Sequence, residues 1–135
     1  MDLIHKNRDE DVNLIIKTAL ETKCETLKMR MLLQLDGVAI PMASTILTMF
    51  EPERYGVIDR RAWSYLYDND LVDCNPNGTN LSISQWLTYL SLVRDVAAEF
   101  DTTPRLVDLN LYLADKYGLS VVLPRNKTKG TGGCR

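Results

Sequence analysis

"LLQLDGVAIPMASTIL" (residues 32–47) decides the fold of this chain. Two apolar-periodic runs meet at Gly37-Val38, and Pro41 opens the second. A glycine just past a helix end adopts a left-handed backbone without a Cβ clash. A proline in the first helical turn loses nothing, because the N–H it lacks would have no intrahelical acceptor there. The stretch therefore predicts a helix over 25–34, with Leu27, Met31 and Leu35 turned inward and Gly37 as its terminator. A second helix follows from Pro41 through Ala43, Ile46 and Leu47 to Phe50, broken by "EPERYG".

The flanking sequence has the same helical character. Val12, Ile15, Ile16, Ala19 and Leu20 recur at helical spacing between Asp9 and Lys23. Asp59 begins a fourth helix, "RRAWSYLYDN", and "DCNPNGTN" (73–80) is a loop dense in turn formers. A fifth helix over 84–100, capped by Ser84, places Trp86, Leu87, Leu90, Val93 and Ala97 on one face. Thr103-Pro104 starts a sixth that ends near Tyr117-Gly118, and "LSVVLP" fits a short extended piece. The expectation is an all-α, compact bundle of about six helices built on one helix-hairpin-helix. Residues 1–118 form the helical domain, and 119–135 form a basic, glycine-rich tail.

Composition narrows the function classes. At 135 residues, with 45% hydrophobic and 25% charged residues, the chain is long enough to bury a core of its own. No apolar run reaches membrane-spanning length, and "MDLIHKNRDEDV" lacks the pattern of a secretion signal. Cys24, Cys74 and Cys134 are odd in number and far apart, so they compose no disulfide framework. With a single histidine, His5, they suggest no metal site either, and a reduced cytoplasmic setting is expected. After Asp115 there are five cations and no acid, which leaves −7 on the rest of a chain whose net charge is −2. Such a tail adds affinity for polyanions, although a solvated terminus reads the same way.

A glycine hairpin buries its apolar faces, and it also presents backbone N–H groups at the start of the second helix, where the helix dipole favours an anion. Small residues at Ala39, Ala43 and Ser44 let a DNA backbone approach. Contacts from Gly37, Val38, Ala39, Ile40 and Met42 would read phosphate rather than base, with Arg60 and Arg61 on flanking phosphates.

Together, "LLQLDGVAIPMASTIL" and the later "YGVIDRRAW" resemble the helix-hairpin-helix and following aspartate of the base-excision DNA glycosylase superfamily. Leu35, Gly37, Val38, Ala43 and Ile46 fall on matching positions, and the match covers roughly residues 28–67. It is closer still to small prokaryotic proteins with the pattern "GV-IP-AS-IL…P-RYGVID-R-W". The resemblance implies duplex DNA as partner, a role in DNA repair, and Asp59 as the catalytic aspartate. Asp59 would stabilise the positive charge that grows on the sugar as the base leaves. Trp63, Tyr65 or Tyr67 would stack on or wedge beside an extruded base. Ala39 stands where the hairpin's second glycine is expected, and Pro41 stands where bifunctional members carry a Schiff-base lysine. The implied activity is therefore monofunctional, hydrolytic base removal without a cofactor. Only about two helices precede Gly37, whereas the superfamily places a separate helical subdomain there.

The residues also admit plainer readings. Asp59 fits an N-cap for its own helix, and Trp63 and Trp86 fit the core. "RDED" (8–11) reads as acids in a first helical turn, and Asp68, Asp70 and Asp73 lack a glycine-spaced calcium loop. The alternative function is a non-enzymatic module for a protein partner or homodimer, with the hairpin serving as a corner. Charge discriminates the two: DNA binding needs the hairpin, Arg60 and Arg61 on one face, not dominated by Asp36, Glu51 and Glu53.

Overall fold

A computed structural model describes residues 8–119. His5, Cys134 and the segment from residue 120, with the expected extended piece and basic tail, lie outside the described residues. Among the described residues there are six helices and no strand: α1 (Asp9–Glu21), α2 (Glu25–Leu32), α3 (Ile40–Phe50), α4 (Arg60–Asp68), α5 (Ile83–Glu99) and α6 (Pro104–Tyr117). Helix α1 packs on α2, α2 on both α3 and α5, and α6 on both α4 and α5. The chain is all-α, as its periodicity foretells. None of the helices is long and apolar enough to cross a membrane.

Three of the six helices start on a side-chain cap. Asp59 Oδ1 accepts from Ala62 N at 2.8 Å, and Thr103 Oγ1 accepts from Leu106 N at 3.3 Å. The α5 cap is Ser82, not Ser84: Ser82 Oγ accepts from Gln85 N, and the Gln85 side chain returns to Ser82 N, both at 3.1 Å. The glutamine three residues on is what selects Ser82, because it completes a reciprocal box that Ser84 has no partner to form. Each cap is worth about 1 kcal/mol. At the far end of α6, Gly118 (φ 66°) turns the chain and Leu119 N bonds back to Ala114 O at 2.9 Å.

The hairpin differs from expectation in two respects. Helix α2 stops at Leu32, and Gly37 (φ 82°) lies inside the following turn, where Val38 N donates to Leu35 O at 3.2 Å. The inward face of α2 carries Lys28, Met29 and Leu32, while Leu27 is exposed. Leu35 is buried, but from the turn rather than the helix.

A lysine faces inward because an aromatic hub receives it. Tyr55, fully buried, lies parallel to Trp86 at 6.5 Å between ring centroids and donates to Glu25 Oε1 at 3.0 Å. Lys28, Arg54 and Arg94 surround the same ring at 5.4, 5.7 and 5.1 Å from its centroid. Arg94 Nε also donates to Arg54 O at 2.8 Å, which ties α5 to the turn after α3. Burial and the Glu25 carboxylate push the Tyr55 phenol well above its ordinary range. Trp63, Leu47, Ile58, Leu66, Val93 and Leu111 complete the core between α3, α4, α5 and α6.

Candidate nucleic-acid interface

The start of α3 is open. Its N-cap is Ala39, which offers no side-chain oxygen, so no side chain of the cap competes for the amides of Ile40 and Met42. Gly37, Ala39 and Met42 are exposed, while the side chains of Val38 and Ile40 are buried. Those last two therefore reach a ligand only through their backbones. Ser44 and Thr45 both turn their hydroxyls back to Pro41 O, at 2.8 and 2.9 Å, which keeps the first turn small.

Next to this helix start lies the loop 77–80. Ala39, Ile40 and Pro41 form one wall of a groove of about 440 Å³, and Gly78, Asn80 and Leu81 line it as well. A second groove, of about 530 Å³, is lined by Asn77 and Thr79 of the same loop with Arg60, Arg61, Ser64 and Asp115. The loop is therefore shared between the hairpin and the two arginines. Gly78 makes this possible: at φ +64°, a Cβ there would stand 2.7 Å from Arg60 Cα and 2.8 Å from Arg60 O. Its neighbours are anchored on α4 and on each other. Trp63 Nε1 donates to Cys74 O at 3.1 Å, Ser64 Oγ to Pro76 O at 3.0 Å, and Asn75 Nδ2 to Thr79 O at 2.8 Å.

The charges around these two grooves are mixed. Arg60 is exposed and has no ion-pair partner among the described residues. Arg61 lies 3.5 Å from Asp115, the one acid lining the second groove. Glu51 and Glu53 lie beyond the opposite end of α3, and Glu51 pairs there with Arg54 at 3.0 Å. Asp36 remains exposed in the hairpin turn. Of the acids named as opponents of DNA binding, only Asp36 is on the hairpin itself.

Asp59 is placed differently. It is half-buried, caps α4, and lines neither of these grooves. The extended residues before it have no strand partner, yet their polar groups are satisfied by side chains from three helices. Val57 N donates to Asp108 Oδ2 at 2.7 Å, Val57 O accepts from the Tyr89 hydroxyl at 2.9 Å, and Ile58 N donates to Ser44 Oγ at 3.1 Å. Gly56 lies close against α6, where a Cβ would meet Pro104 O at 2.9 Å. Arg105 Nη1 completes the Asp108 carboxylate at 2.7 Å. Burial raises the Asp108 carboxyl from the usual 3.8 to about 6, against the lowering effects of Val57 N–H and Arg105 and with a further push from Asp59.

Of the aromatic residues expected beside an extruded base, Trp63 is fully buried and Tyr65 nearly so, leaving Tyr67 half-exposed. Asp108, Tyr89 and Arg105 were not singled out by sequence, and Ser44 was read only as a small residue. One signal for Asp108 was present: it is the one acid inside the leucine-rich run "RLVDLNLYL". No group of three or more metal-ligating side chains occurs among the described residues. Comparison with known protein families, characterised proteins and solved structures finds no match for this chain.

Proposed function

We propose that this chain is a DNA-associated helix-hairpin-helix protein that holds duplex DNA by its phosphate backbone, acting in the cytoplasm of a prokaryotic cell. The observation that carries the reading is the loop 77–80, which borders the uncapped start of α3 in one groove and Arg60 and Arg61 in another. Backbone amides at a helix start and arginine side chains are the groups that bind phosphate oxygens without reading sequence. Base release at Asp59 is the narrower form of the proposal. It requires a carboxylate oxygen free for the sugar, while Oδ1 is already engaged by Ala62 N.

Fluorescence anisotropy of labelled duplexes, plain and with a stable abasic-site analogue, tests the reading across a salt series. The expected result is binding that weakens steeply as salt rises, because each neutralised phosphate releases counterions. Tighter binding to the abasic duplex points to the glycosylase form, and Asp59→Asn then abolishes base release while sparing binding. Absence of binding at low salt defeats the DNA reading.

A second reading has its own support. Leu106, Leu109, Leu113 and Tyr117 are exposed along one stripe of α6, with Leu119 beyond it. An apolar stripe of this kind suits a protein partner or a second copy of the chain. If DNA binding fails, sedimentation of the protein alone is the next measurement.

A further inference from the structure

The segment 56–58 is held on both polar sides of one residue. Asp108 of α6 takes the Val57 N–H, and Tyr89 of α5 gives its hydroxyl proton to the Val57 carbonyl. Two residues later the same backbone delivers Asp59 to the start of α4, where its Oδ1 receives Ala62 N, and Arg60 follows at once. A displacement of Val57 must therefore move Asp59 and the first turn of α4, because Ile58, itself fully buried, leaves no slack between them. Both Asp108 oxygens are engaged and the residue is buried, so it cannot reach a substrate.

We infer that Asp108 is a positioning residue for the Asp59–Arg60 corner, acting through Val57, and that a change in the protonation of its carboxyl is felt at that corner.

The charged and titratable groups facing Asp108 are Arg105 on its own helix, Tyr89 on α5 and Asp59 at the end of the extended segment. The cation of α4 nearest in sequence, Arg61, pairs with Asp115 instead. Only Arg105 favours the ionised form among the side chains, while burial and Asp59 oppose it. Protonation exchanges charge-assisted bonds to Val57 N–H and Arg105 for neutral ones and relieves the cost of a buried charge, so Val57 and the residues that follow it sense the change. Tyr89 keeps its proton throughout, since burial and the two aspartates hold its phenol well above the ordinary range. The consequence for DNA rests on the reading above: the setting of Arg60 against a phosphate changes as the Asp108 carboxyl titrates.

The test is a proton–nitrogen NMR titration of the full chain without DNA, made in the Asp59→Asn background. Asparagine caps as well as aspartate and does not titrate, so any transition at the Ala62 amide comes from elsewhere. The expected result is that the Val57 and Ala62 amides shift together with one midpoint, above that of an ordinary carboxyl and lower than in the natural chain, because the Asp59 charge that raises it is gone. Adding Arg105→Gln moves both midpoints upward by about one pH unit, because the carboxylate loses its cation. Adding Asp108→Asn removes the transition from both amides. A transition at Val57 with Ala62 silent, or none at either, overturns the inference. If the Asp108→Asn chain does not fold, the shared upward shift in Arg105→Gln still decides it. Since no DNA is present, the anisotropy experiment stands or falls separately.

Discussion

The starts of α3 and α4 follow the same kind of short connection but are finished in opposite ways. At α3, the cap is Ala39 and the first turn is kept small by Pro41, Ala43 and Ser44. At α4, Asp59 caps the helix, and the two residues before it are bonded by Asp108, Tyr89 and Ser44. An unfilled helix start leaves amides available to an anion, whereas a filled one spends them within the fold. The contrast is why binding is proposed around Ala39–Met42, while Asp59 is first a structural residue. Ser44 belongs to both regions: its hydroxyl donates to Pro41 O and accepts from Ile58 N.

Removing the support at α4 is the most damaging change. Asp108→Ala leaves the buried Val57 N–H and the Arg105 guanidinium without an acceptor and is expected to cost about 3 kcal/mol, read from urea denaturation. The same carboxyl makes stability pH-dependent. Between pH 4 and 6 the folded chain holds a proton that the unfolded chain has released, so this residue's contribution falls as pH rises through that window. Urea midpoints of the natural chain and Asp108→Asn should therefore diverge in slope there, and parallel curves would show that the carboxyl is not perturbed.

A smaller loss is expected at the hinge between the two regions. Gly78→Ala forces a Cβ onto Arg60 backbone and a side chain into a left-handed conformation, for about 1–3 kcal/mol. It should also weaken any DNA binding beyond its effect on stability, because the loop shared by both grooves must shift. Asp59→Ala should cost only about 1 kcal/mol as a lost cap, while Asp59→Asn should be nearly neutral. A loss of several kcal/mol in Asp59→Asn would mean the charge itself is structural. The finest effect concerns salt: Arg60→Ala should lower the slope of log affinity against log salt by about 1 without changing stability. An unchanged slope would remove Arg60 from the interface.

Much of this molecule was legible along the chain because its signals are local. Apolar spacing or a start signal marked all six helices, Pro41 and Gly118 marked a start and an end, Asp59 was legible as a cap, and Thr103-Pro104 as a helix start. The local rules failed where two candidates competed or where the partner was remote. Ser84 lost the cap to Ser82 because Gln85 completes the box. Around α2, the inward side was read correctly at Met31 and Leu35, but Leu27 was taken in place of Lys28. Lys28 counts as polar in any pattern, while the hub at Tyr55 accepts it from 27 residues away. The candidate site divides likewise: the hairpin and the arginines stood out in sequence, but nothing local joins them.

What the sequence determined by itself, then, is the helical class, the Gly37 turn, the small-residue start of α3 and the acid that caps α4. Spacing, φ preference and hydrogen bonding to the next turn are properties of neighbouring residues, so they are written in order along the chain. Only the tertiary structure decided that Gly78 sits against Arg60, that Lys28 faces Tyr55, and that Asp108 of α6 grips Val57. Each of those pairs residues distant in sequence, and its strength comes from burial, which exists only once the helices have packed.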